Sequence, residues 1–132
     1  MAPFLLATAI GAGCFLVLDG LWLGLLMSGF YREQLAAIGR IENDRFVPNW
    51  PAAAVVYVLL GAGLALFAAP RASRIETAAA YGALFGFVVY GVYDFTNLAT
   101  LRHYPLQLAI VDVLWGTAAS ALGTTVVWAT TR

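Results

Sequence analysis

TAAAYGALFGFVVYGVYDFTNLATL, residues 77–101, decides how this chain is read. Asp94 is its one charged residue, and the run is longer than the roughly 20 apolar residues a helix needs to cross ~30 Å of hydrocarbon. The apolar character is continuous and not alternating, so a barrel strand is excluded. A helix is then the structure that satisfies its own backbone in lipid. Within the run, Tyr90, Tyr93, Asp94 and Asn97 fall at i, i+3, i+4 and i+7, a single stripe of a helix. Gly82 and Gly86 continue nearly the same stripe deeper, where small residues let helices approach closely. The stripe predicts a polar face turned into a bundle, with Phe85, Phe87 and Val88 facing elsewhere.

Three further segments have the same character: Phe4–Met27, Trp50–Ala69 and Pro105–Ala129. Asn49-Trp50-Pro51 opens the second span with Pro near the first turn, where its missing N–H costs nothing. Ala69-Pro70-Arg71 closes it. His103-Tyr104-Pro105 separates the third and fourth spans by so short a turn that those helices must be antiparallel neighbours. The first span is expected to remain as a helix and not to be a cleaved leader. It lacks a basic start, is too long, and carries Asp19 where a signal core is apolar.

The whole composition agrees. Of 132 residues 62% are hydrophobic and 11% charged, against about 25% charged in soluble domains. Net charge is zero, so no nucleic acid or acidic partner is implied. All seven basic residues are Arg, and the lone Cys14 reads as a small packing residue. The expected fold class is an all-α membrane protein, a single domain over residues 1–132 built as a bundle of four transmembrane helices. One connection has length, Ser28–Asn49. Phe30, Tyr31, Leu35 and Ile38 recur there at helical spacing, which suits a short interfacial helix; a solvated loop fits the periodicity equally well. Arg71, Arg74 and Arg132 lie on the side of the termini, Arg32, Arg40, Arg45 and Arg102 on the other. That bias is weak. The termini are placed in the cytoplasm because the tight Arg71/Arg74 loop is backed by Arg132.

Asp19, Asp94 and Asp112 are the informative anomaly. A carboxylate in mid-membrane costs roughly 2.5–3.5 kcal/mol on insertion scales, and such residues usually mark a functional site. At ~1.5 Å per residue, Asp19 lies about 12 Å and Asp94 and Asp112 about 10 Å from the ends of their spans facing Ser28–Asn49. Tyr57 reaches a comparable depth, so all four helices place a polar group in one leaflet. The first and fourth spans share Asp-x-Leu-Trp, as Asp19-Gly20-Leu21-Trp22 and Asp112-Val113-Leu114-Trp115. Spacing i, i+3 sets each indole beside its carboxylate, to which its N–H can donate. If the acids converge, they titrate as a coupled group. Arg102 and His103 can reach inward to pair with one of them, although a lone His in a short polar loop is more often a surface residue.

The proposed intramembrane binding site therefore comprises Asp19, Asp94, Asp112, Asn97, Tyr57, Tyr90, Tyr93, Trp22 and Trp115. No cofactor or metal is expected. Gly-x-Ser-x-Gly, His-Glu-x-x-His and Cys-x-x-Cys are all missing, and there is no second His. A hard cation such as Ca²⁺ takes about six to eight oxygen ligands, more than these residues guarantee. Gly11, Gly13, Gly61, Gly63, Gly82, Gly86, Gly116 and Gly123 read as packing notches.

Pro48-Asn49-Trp50-Pro51, Tyr90–Thr100 with its Tyr-Asp-Phe-Thr-Asn core, and Ile110–Gly116 carry a likeness over nearly the whole chain. It resembles the bacterial domain-of-unknown-function 2177 family of small multi-pass membrane proteins. The resemblance implies a four-helix protein of one domain in the bacterial inner membrane, and it supplies no catalytic residues. The leading functional reading is a transporter or channel-like protein whose acids bind a proton, a cation or a cationic solute; with only four helices, a homodimer is expected. Two readings stand beside it. One is an integral membrane enzyme or lipid-binding protein acting on an apolar substrate, with the acids as general acid and base. The other is a structural or accessory protein whose aspartates hold helices together.

Overall fold

The computed structural model describes all 132 residues. Four helices are long and apolar enough to cross a membrane: Ala2–Leu26, Trp50–Arg71, Ile75–Thr100 and Leu106–Thr131. The first comprises α1 (Ala2–Leu21) and a wide π-helical turn, Trp22–Leu26, closed by Met27 N–H donating to the Trp22 carbonyl at 2.7 Å. A second short helix, α2 (Ser28–Gln34), follows. Next comes a small antiparallel hairpin pairing β1 (Ile41–Glu42) with β2 (Arg45–Phe46). Its turn residues Asn43 and Asp44 have φ of 49° and 59°, the left-handed region that two-residue hairpin loops require and that Asn and Asp tolerate. The Arg32 guanidinium donates to the Asp44 carbonyl and ties α2 to the hairpin tip.

The second span begins at α3 (Trp50–Gly63), where the Asn49 side chain accepts from Ala52 N–H at 3.2 Å and Pro51 occupies the first turn. It runs on through a π-helical turn, Leu64–Ala68, and a last 3₁₀ turn ending at Arg71. α4 (Ile75–Thr100) starts from a cap in which Thr77 Oγ1 accepts from the backbone N–H of Ser73 and Arg74, both at 3.0 Å. α5 (Leu106–Thr131) completes the bundle.

Two helix pairs form its frame. α4 and α5 run antiparallel with their backbones almost touching. A Cβ on Gly82 would strike the Ser120 carbonyl and Thr124, one on Gly86 the Gly116 carbonyl, and one on Gly116 the Tyr90 ring. α1 and α3 meet in the same way, since a Cβ on Gly61 would strike the Thr8 carbonyl and the Ala12 N–H. Close backbone approach of this kind is how helices gain packing in lipid, where no hydrophobic effect drives them together. Phe15, Leu60, Leu64, Ala68 and Ala119 form the buried core between the pairs.

Two packing expectations need correction. Phe85 faces inward, because Gly63 on α3 leaves a notch that its ring fills. Gly13 is no notch: nothing lies within 4 Å of a Cβ placed there. Phe87 and Val88 do face outward.

Candidate functional site

The half of the bundle beneath the Ser28–Asn49 connection is polar and open. α1 carries Asp19, whose two oxygens are both engaged. Trp115 Nε1–H on α5 donates to Oδ1 at 2.9 Å, and the Tyr57 hydroxyl on α3 donates to Oδ2 at 3.0 Å. Asp112 on α5 accepts from the Tyr31 hydroxyl at 2.7 Å. Tyr31 in turn accepts from Trp22 Nε1–H at 3.1 Å. The indoles of Trp22 and Trp115 lie parallel between these two chains of bonds, with ring centroids 4.4 Å apart. Each Asp-x-Leu-Trp tryptophan therefore serves the other motif's acid, Trp115 directly and Trp22 through Tyr31. The expectation that each indole donates to its own aspartate is corrected by helix direction. α1 and α5 cross the membrane oppositely, so Trp22 reaches the depth of Asp112, and Trp115 that of Asp19.

Asp94 on α4 is wholly buried, 0% exposed. Its Oδ1 accepts from the Tyr104 hydroxyl at 2.5 Å, while Oδ2 has no donor. The Asp112 carboxyl lies beside that of Asp94. Asn97, one turn along α4, lies beside the hydroxyls of Tyr93 and Tyr104. Tyr90 packs its ring over Gly116.

Two cavities adjoin the acids. The larger, about 560 Å³, is lined by 17 residues, 11 of them hydrophobic, and includes Asp19, Asp112, Tyr57, Tyr93 and Tyr104. The hairpin and the start of α3 wall it on the loop side through Arg40, Phe46, Pro48 and Trp50. The smaller, about 330 Å³, lies between α3 and α4 beside Val56, Leu60, Val89, Tyr90 and Trp115. Asp19, Leu23, Tyr93 and Asp112 border both. No cluster of three metal-ligating side chains is present.

Residues 4–129 match the model of a family described as predicted membrane protein (DUF2177). The chain belongs to that family. No curated protein and no solved structure matches it. Family membership and four apolar helices place the chain in a lipid bilayer as a multi-pass membrane protein.

The structure brings Asp19, Asp94, Asp112, Tyr57, Tyr90, Tyr93, Asn97, Trp22 and Trp115 into one region, but not in one role. Asp94 lies behind Asp112, away from both cavities, and Tyr93 is 60% exposed in the gap between α3 and α4. Arg102 and His103 are exposed and pair with no acid; the inward-facing residue of that turn is Tyr104. His103 adopts φ 63°, and this left-handed residue reverses the chain. Sequence reasoning also missed Tyr31 and Arg40 as members of the region. Tyr31, 5% exposed, dips from α2 into the bundle where an interfacial helix would lie flat. Burial pushes the phenols of both Tyr31 and Tyr104 above the ordinary tyrosine range, so each is a lasting hydrogen-bond donor.

Proposed function

We propose that the protein is a small membrane transporter or channel-like protein that holds a proton or a cation at Asp94 and Asp112. The observation that carries this reading is the Asp94 carboxyl, fully buried with one oxygen lacking a donor and a second carboxyl beside it. All hydrogen-bond donors to the three acids are neutral Tyr or Trp groups. Neutral donors stabilise negative charge without cancelling it, so the cluster has a place for one positive charge. Asp112 is the accessible member and the point where that charge enters and leaves. Asp19, with both oxygens occupied, fixes α1, α3 and α5 and contributes its field.

Reconstituted vesicles test this directly. An imposed pH gradient is expected to drive cation flux through the parent, and Asp112→Asn and Asp94→Asn are expected to abolish it while remaining folded. Equal flux in both variants rules the reading out.

A second reading, binding or conversion of a lipid or other apolar molecule, is favoured by the mostly apolar wall of the 560 Å³ chamber. Comparison of lipid extracts from cells with and without the protein tests it: a lipid that accumulates or vanishes supports this second reading, and unchanged lipids count against it.

A further inference from the structure

We propose that the chamber's ligand is an organic ammonium cation with an apolar body, entering sideways from the bilayer between α3 and α4. The proposal rests on the reading that the acid cluster takes a positive charge, and it names the class of molecule that carries the charge.

Size comes first. A volume of about 560 Å³ falls in the range of small-molecule pockets, roughly 300–1,000 Å³, and far exceeds the needs of a bare ion. The walls are also wrong for one. A desolvated inorganic cation needs a shell of oxygens, about six for Mg²⁺ and six to eight for Ca²⁺. Here each Asp19 oxygen already accepts one hydrogen bond, from Trp115 or Tyr57, and hydrophobic residues dominate the lining. One free acidic end, Asp112, in an apolar chamber fits one N–H⁺ group on an apolar molecule.

The aromatic faces supply the rest of the recognition. Tyr93 at the gap offers a largely open ring, and Tyr57 lines the chamber. Such faces attract an ammonium through the ring quadrupole and pack against its hydrocarbon. Asp94 adds a second pointer: it lies beside Asp112 with one oxygen that accepts no hydrogen bond, so an ammonium docked at Asp112 sits close to a buried carboxyl that no protein cation neutralises. Arg40 at the loop-side mouth repels a cation there and leaves the lateral route as the favoured one.

That lateral route is visible in the packing. α3 and the rest of its span meet α4 toward the terminus side, where Phe85 seats on Gly63. Toward the loop side the two helices part, and the 330 Å³ cavity fills the space between Val56 and Leu60 on one wall and Val89 and Tyr93 on the other. Asp19 and Asp112 line its inner end, so an amphipathic cation dissolved in the leaflet meets the acids without crossing the hairpin.

Calorimetric titration of the full-length protein in nanodiscs tests the proposal, with phenylbutylammonium, its neutral counterpart phenylbutanol, and K⁺ or NH₄⁺ alone as probes, each corrected for partition into empty nanodiscs. The phenylbutylammonium is expected to bind at least about tenfold tighter than either the alcohol or the small ions. Asp112→Asn is expected to lose that advantage. Tyr93→Leu, which removes the aromatic face at the gap, is expected to weaken the amine several-fold while the protein stays folded. If K⁺ or NH₄⁺ binds as tightly as the amine, the acids take a charge but the apolar-bodied ligand is overturned. If the alcohol binds as tightly as the amine, or if nothing binds to folded protein, this proposal is overturned, while the reading beneath it stands or falls on the vesicle flux.

Discussion

The two halves of the bundle solve opposite problems with the same four helices. Toward the termini, glycines bring backbones together: Gly82 and Gly86 press on α5, and Gly61 presses on α1. Toward the loop side, α3 and α4 separate, and aromatic side chains with polar tips replace glycine contacts. The closed half is held mainly by backbone approach, with Ser120 and Thr124 buried at the α4/α5 contact, and the acids lie in the open half. Within the open half the acids divide again. Each Asp19 oxygen accepts a hydrogen bond, from α3 or α5, whereas one Asp94 oxygen accepts none. An intramembrane acid is informative by its missing hydrogen-bond partners more than by its presence.

The largest effect is expected in the closed half. Gly82→Val drives a side chain into the Ser120 carbonyl and Thr124 on α5; overpacking of this kind costs about 3 kcal/mol. Thermal melting in detergent is expected to show an unfolded or aggregated variant. Gly91→Ala, with nothing within 4 Å, is the control and is expected to melt at or above the parent temperature. A tolerated Gly82→Val removes the contrast between the halves.

Next comes Asp19→Ala, which strands the Trp115 and Tyr57 donors and is expected to cost about 2 kcal/mol. Asp112→Asn keeps an acceptor for Tyr31 and is expected to cost about 1 kcal/mol or less in the same melting assay. Reversed magnitudes mean that Asp112 is the brace and Asp19 the working group. Tyr57→Phe removes one hydrogen bond, worth about 0.6 kcal/mol in a membrane bundle, and sets the lower limit of what the assay must resolve.

The smallest effect concerns alkali. Burial raises the Tyr104 phenol above its unfolded value of about 10. A raised folded value gives stability that is complete below about pH 10 and declines as pH climbs through the folded value, because the unfolded phenol ionises first. Denaturant titrations across that window are expected to show a shallower alkaline loss for Tyr104→Phe than for the parent.

The spans were legible in the sequence because hydropathy and length alone decide them, and residues 77–101 also revealed the inward stripe of α4. Convergence of the polar groups at one depth followed from counting residues along each helix. The crossed Trp–Asp pairing was present in principle too, since antiparallel helices place Trp22 level with Asp112. What periodicity does not encode is the path of chain outside a helix. Tyr31 and Tyr104 enter the region because a π-helical turn and a left-handed His103 redirect the backbone, and neither leaves a mark in a stripe. Phe85 was misplaced for a related reason: its inward position depends on Gly63, a residue on another helix.

The central claim is that Asp94 and Asp112 hold one positive charge, a proton when the chamber is empty and a cation when it is filled. Infrared difference spectroscopy of the parent with and without phenylbutylammonium measures this most directly, because a protonated carboxyl has its own C=O band. The account predicts such a band in the empty protein, its loss when the amine binds, and its absence from Asp94→Asn. A band that persists unchanged with the amine bound, or no such band in the empty protein at neutral pH, contradicts it.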